Sequence, residues 1–154
     1  MKTTLLALLA LLLVGCSQAK FDAYSPVVDL HNKSTQNDIN QYLLTQYKDK
    51  WEEELRVVLL DENNKYISDK VISTGSKNDV HFNFKDIYIY SLENKASKII
   101  VAHNHIGHYF ARPSEHDLEA LKKLEQFSKT THIKADFVIV SDNDVQTTNA
   151  SEKS

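Results

Sequence analysis

The run Lys98 to Ala102 is short and apolar, and it leads without a break into His103-Asn104-His105. Read as a buried strand, it places alternate side chains on one face, so His103 and His105 converge while Asn104 turns away. After a loop, Pro113-Ser114-Glu115-His116-Asp117 opens a stretch with helical periodicity. Ser114 and Asp117 have the spacing of a helix cap, which puts the aspartate in the first turn. Two imidazoles and one carboxylate then make three ligands of a tetrahedral metal site, with the fourth position left to water. That is the pattern of a catalytic rather than a structural zinc. It also constrains the fold, because the end of a buried strand must lie beside the start of the next helix.

The remaining patterns supply a sheet and helices around that point. Ser34 precedes Ile39, Tyr42, Leu43 and Tyr47, whose spacing predicts a helix capped by the serine with one apolar stripe. The acidic cluster Glu52-Glu53-Glu54 gives way to the β-rich run Leu55 to Asp61, and turn residues from Glu62 to Lys65 send the chain back through Tyr66 to Ile72 as a hairpin. Asn83, with Asp86 three residues on, caps a helix bearing Phe84, Ile87, Tyr88 and Leu92. Leu118, Leu121, Leu124 and Phe127 mark a third helix, and Ile133 to Val140 a last strand. From Ser141 the chain is too polar to bury and reads as a loose tail. The order helix, hairpin, helix, strand, helix, strand predicts a single α/β domain with a mixed sheet flanked by helices. A chain of 154 residues has room for one such core.

The N-terminus reads as a targeting segment. Lys2 supplies a positive charge, and Leu5 to Val14 is an apolar run of ten residues, half of the roughly 20 needed to span a membrane. It ends in Leu13-Val14-Gly15-Cys16-Ser17, which resembles a bacterial lipobox. That resemblance implies a lipoprotein signal peptide over residues 1–15, lipidation of Cys16 and a tether over 16–33. Acyl chains would hold the protein at a membrane, each buried methylene contributing about 0.8 kcal/mol. Ser17 implies, by resemblance to sorting rules in two-membrane bacteria, the periplasmic face of the outer membrane. Cys16 is the only cysteine, so no intrachain disulfide forms. A net charge of -3 with pI near 6.1 gives no global attraction to nucleic acid, and no nucleic-acid partner is expected.

His103-Asn104-His105, Ser114 and Asp117, together with Glu53 at the start of a strand upstream, resemble the signature of the JAMM (JAB/MPN+) metalloproteases, in particular their RadC-like bacterial branch. The resemblance runs from about Glu53 to Val140 and implies a JAB/MPN-like, cytidine-deaminase-like fold over residues 34–140, with 141–154 as the polar tail. It implies that His103, His105 and Asp117 bind Zn2+, that Glu53 is the general base and that Ser114 stabilises the oxyanion as an amide or isopeptide bond of a protein or peptide is cut. Such a metal can lower the pKa of a water to about 7, and a nearby carboxylate then takes its proton. Three features depart from the family pattern. Ile106 stands where proline is usual, Arg56 where glycine is usual, and the loop between His105 and Asp117 has eleven residues, one more than usual. Arg56 is expected to hold Glu53 in a salt bridge. His108 and His116 in the loop are expected to face solvent.

The expected function is therefore an envelope-anchored zinc metallopeptidase or isopeptidase. A non-catalytic metal- or partner-binding envelope lipoprotein on the same fold is the alternative. A role in DNA repair ranks last: the letters His-Asn-His resemble those of HNH nucleases, but the spacing of their ββα metal site is not followed.

Overall fold

The computed structural model describes Leu30 and residues 34–75 and 81–150. The expected signal segment and Cys16 lie outside those residues. The described chain runs α1 (Gln36–Tyr47), β1 (Glu53–Leu60), β2 (Tyr66–Gly75), α2 (Phe84–Glu93), β3 (Lys98–Asn104), α3 (Glu115–Thr131), β4 (Lys134–Val140) and β5 (Val145–Asn149). The sheet order is β2-β1-β3-β4-β5, with β3 parallel to β4 and every other neighbour antiparallel. A parallel pair needs a crossover, and α3 provides it. This is the mixed sheet flanked by helices that the sequence pattern predicts.

Alternation along the strands divides the core in two. Leu55, Val57, Ile99, Val101, Phe137 and Ile139 face α2 and α3, where they meet Ile87, Leu124 and Phe127. Val58, Leu60, Ile100, Ala102, Val138 and Val140 face α1, against Ile39, Leu43 and Tyr47. Strands covered on both faces read as continuous apolar runs, which is why β1 and β3 lack a polar alternation. The Tyr47 hydroxyl, buried between layers, donates to the Ala102 carbonyl at 2.7 Å.

Four expectations are corrected. Thr35, not Ser34, caps α1, because Thr35 and Asp38 form a reciprocal capping box, while Ser34 is buried with its hydroxyl on the Leu30 carbonyl at 3.4 Å. Residues 145–149 are not a loose tail: they form β5, whose polar side chains suit an edge strand held by backbone pairing to β4. Leu118 and Leu92 are exposed at 47% and 56%. Each lies one position round the helix from a buried polar residue, Asp117 and Ser91, that takes the inward place.

The fourth correction concerns Arg56. Side chains three apart on a strand point to opposite faces, and Arg56 lies with Glu54 on the α1 face. Its guanidinium bonds Glu54 at 2.6 Å and also Asp69, rather than holding Glu53. Asp69 further accepts from the hydroxyls of Tyr42, at 2.8 Å, and Tyr66. Burial opposes ionisation of Asp69, but the Tyr66, Tyr42 and Arg56 hydrogen bonds and the Arg56 charge outweigh it and hold the carboxyl below its usual range. Burial and Asp69 together push the Tyr42 phenol up to about 12.

A carboxyl that ionises more readily folded than unfolded stabilises fully above the ordinary value of about 4 and loses that contribution as pH falls through the folded pKa. Asp69→Asn is therefore expected to cost on the order of 2 kcal/mol at neutral pH. The gap from wild type should narrow on acidification, measured as urea midpoints across a pH series. A gap independent of pH would contradict this assignment.

Candidate metal centre

The site forms where β3 ends. His103 lies opposite Leu55 of β1 and beside Ile139 of β4, so its strand is gripped from both sides. The His105 amide donates to the Val140 carbonyl at 2.8 Å, keeping the chain against β4 for one more step. The α3 crossover returns its first turn to this end of the sheet. There Ser114 caps the helix: its hydroxyl accepts from the Asp117 amide at 3.2 Å, and its own amide donates to Asp117 Oδ2 at 2.6 Å. The Ser114 hydroxyl also donates to that oxygen, at 2.7 Å. The capping box thus fixes the carboxylate while turning it inward, to 1% exposure.

His103 Nε2 stands 3.0 Å from Asp117 Oδ1, and His105 Nε2 stands 3.2 Å from Oδ2. Ligands about 2.0–2.1 Å from a tetrahedral zinc lie roughly 3.3 Å from one another. The three residues offer ligand atoms all within 4.8 Å of each other. His103 Nε2 and Asp117 Oδ1 are buried and approach closely without forming a hydrogen bond, and His103 Nδ1 is also buried without a hydrogen-bond partner. Burying such atoms unpaired is costly. A cation between them would satisfy both ligand atoms, so the donor set, its spacing and its orphaned atoms fit a metal.

The surroundings favour the charged carboxylate and a fixed imidazole. Burial works against ionisation of Asp117, but His103, His105 and the Ser114 amide outweigh it and hold its pKa well below the usual carboxylate range. Phe82 and Phe137 each lie 5.6 Å from the His103 ring, centre to centre, and wall it from water. Neither phenylalanine was singled out from the sequence. Phe137 was accessible by alternation along β4. Phe82 precedes the Asn83 cap with Ile87 at the fourth helical position, the signature of a hydrophobic staple.

Glu53 is buried at 5% exposure at the start of β1. It lies two positions from Leu55, the partner of His103, so it shares the face of both histidines. The structure therefore brings together His103, His105, Asp117 and Ser114, and sets Glu53 on the same side of the sheet. His108 and His116 are exposed and lie outside the ligand cluster. The long loop carrying His108 is stitched to the β4–β5 turn: the Ala111 amide donates to the Asp144 carboxylate at 3.1 Å, and the Ser141 hydroxyl donates to the Tyr109 carbonyl at 3.2 Å. A cavity of about 510 Å³ adjoins the centre, lined by Tyr47, Lys48, Asn104, His105 and Ile106 among others.

Fold and site together define a JAB/MPN-like α/β domain with a three-ligand cluster able to hold a metal. Residues 33–153 match the RadC-like JAB domain, and the chain belongs to that family. Among similar proteins, a UPF0758 protein of Clostridium novyi is 29% identical over 113 residues, covering 73% of this chain and 49% of the relative. One from Caldanaerobacter subterraneus is 32% identical over 106 residues, 68% of this chain and 45% of the relative. Another, from Pseudoalteromonas translucida, is 27% identical over 139 residues, 82% of this chain and 62% of the relative. The chain spans about half the length of the first two of these relatives.

Proposed function

We propose that this protein is a zinc-dependent metallopeptidase or isopeptidase. The observation that carries the reading is the convergence of His103, His105 and Asp117, with buried unpaired ligand atoms, on the face that also holds the buried Glu53. Zinc held by the three ligands would polarise a substrate carbonyl and lower the pKa of a water to about 7. Glu53 takes a proton from the attacking water and passes it to the leaving amine nitrogen. The Ser114 hydroxyl, 2.7 Å from Asp117 Oδ2, turns its proton from that oxygen toward the developing oxyanion. The capping box orients Asp117 throughout, and Phe82 and Phe137 keep His103 dry.

Trp51, Tyr109, Phe110 and Leu118 support a peptide substrate, since all four are exposed and belong to segments that meet at the site end of the sheet. The test is hydrolysis of linear and isopeptide-linked peptides by the full chain, lost on chelation and restored by Zn2+. Hydrolysis that survives chelation would contradict the reading. Zinc binding without hydrolysis of any such peptide would favour the non-catalytic, partner-binding alternative, which the engagement of Ser114 in the helix cap and the unusual Ile106 in the cavity wall support.

The same proposal places the domain at the bacterial envelope, through acylation of Cys16, and rests there on the order of charge, apolar run, glycine and cysteine in residues 2–16. Among the described residues no helix is long and apolar enough to cross a membrane; the attachment proposed is through the acyl chains on Cys16. Cys16→Ser is expected to move the protein from the membrane fraction to the soluble one. Unchanged fractionation would sink the anchor.

A further inference from the structure

We propose that Asn104 is a positioning residue for Glu53, its side-chain amide standing in for a missing step of the β1–β3 ladder. The inference rests on the reading of Glu53 as general base. Main-chain pairing of β1 with β3 runs from Leu60 and Lys98 to Leu55 and His103. Beyond that point the backbone of β3 stays with β4, through the His105 amide on the Val140 carbonyl. The Asn104 side chain continues the pairing to β1: its Oδ1 accepts from the Glu54 amide at 2.7 Å, and its Nδ2 donates to the Glu52 carbonyl at 3.1 Å. These two bonds bracket Glu53 on either side along the chain.

Asn104 is 5% exposed and lies between the two histidines on the opposite face of the strand. One planar amide thus ties the backbone of the base to the backbone of the ligands. Aspartate has no donor for the Glu52 carbonyl, and serine is too short to make both bonds. The neighbouring carboxylate is held apart from the site, since Glu54 is paired with Lys50 at 2.8 Å and Arg56 at 2.6 Å on the α1 face. Glu53 is therefore the carboxylate of the acidic run that this clamp presents to the centre.

The test uses the full chain loaded with Co2+, whose visible absorption reports the metal surroundings as pH is varied. Wild type, Glu53→Gln, Asn104→Ala and the double variant are compared, with Asn104→Ser as a second single variant should alanine impair folding. Glu53→Gln is expected to move the midpoint of the spectral change by about one pH unit. Asn104→Ala or Asn104→Ser should reproduce at least half of that shift, and should add nothing when Glu53 is already replaced. A staple that only stabilised the strand would lower the melting temperature without moving the midpoint, and that result would overturn the proposal. Additive shifts in the double variant would overturn it as well. If Glu53→Gln itself leaves the midpoint unmoved with Co2+ bound, the general-base reading fails, and the positioning role falls with it.

Discussion

Glu53→Gln is expected to retain one metal per chain while lowering amide hydrolysis by at least about 100-fold, the scale of a lost general base. The substitution keeps the size of the side chain and removes its capacity to take a proton. Glu53 is not among the three converging ligands, so the metal site should survive. It is buried on the face of both histidines, and the next strand residue, Glu54, is turned to the other face into the Lys50 and Arg56 pairs. Glu54 is therefore not placed to substitute. Steady-state kcat/KM beside metal content separates chemistry from binding. A variant that hydrolyses at the wild-type rate would remove Glu53 from the mechanism.

Asp117→Asn should be the most damaging single change, because one carboxylate serves two functions. Its Oδ1 faces His103, while its Oδ2 receives the Ser114 amide at 2.6 Å and hydroxyl at 2.7 Å. Loss of the anionic ligand is expected to weaken metal binding by at least about 100-fold, measured by competition with a chelator. Weakening the cap should cost on the order of 1 kcal/mol in the chelated chain. The acid limb of stability adds a signature. Burial disfavours the charged form of Asp117, yet His103, His105 and Ser114 lower its pKa. Its contribution is therefore complete above about pH 4 and is lost on further acidification, a loss that the asparagine variant should lack. Equal acid sensitivity in both chains would contradict that assignment.

Much of this arrangement was legible because two periodicities carry it. The run from Leu55 to Leu60 and the run from Lys98 to Ala102 read as strands, and alternation alone puts His103 and His105 together. Ser114 and Asp117 announced both a helix start and a carboxylate in its first turn, and the capping box shows that the two readings share one geometry. Applied consistently, the same alternation would have separated Arg56 from Glu53, since residues three apart on a strand face opposite ways. What composition could not show was β5, whose polar side chains conceal a backbone pairing with β4. Pairing partners distant in sequence were equally hidden: the hold of Asp144 on the site loop and the bonds from Asn104 to the β1 backbone depend on register, which no single segment encodes.

That His103, His105 and Asp117 hold one catalytic-type metal is tested by metal analysis of the purified full chain after exposure to Zn2+. Wild type should carry one zinc per chain, and His105→Ala, in a chain that stays folded, should carry far less. An empty wild type, or a His105→Ala variant that retains the full complement, would contradict it.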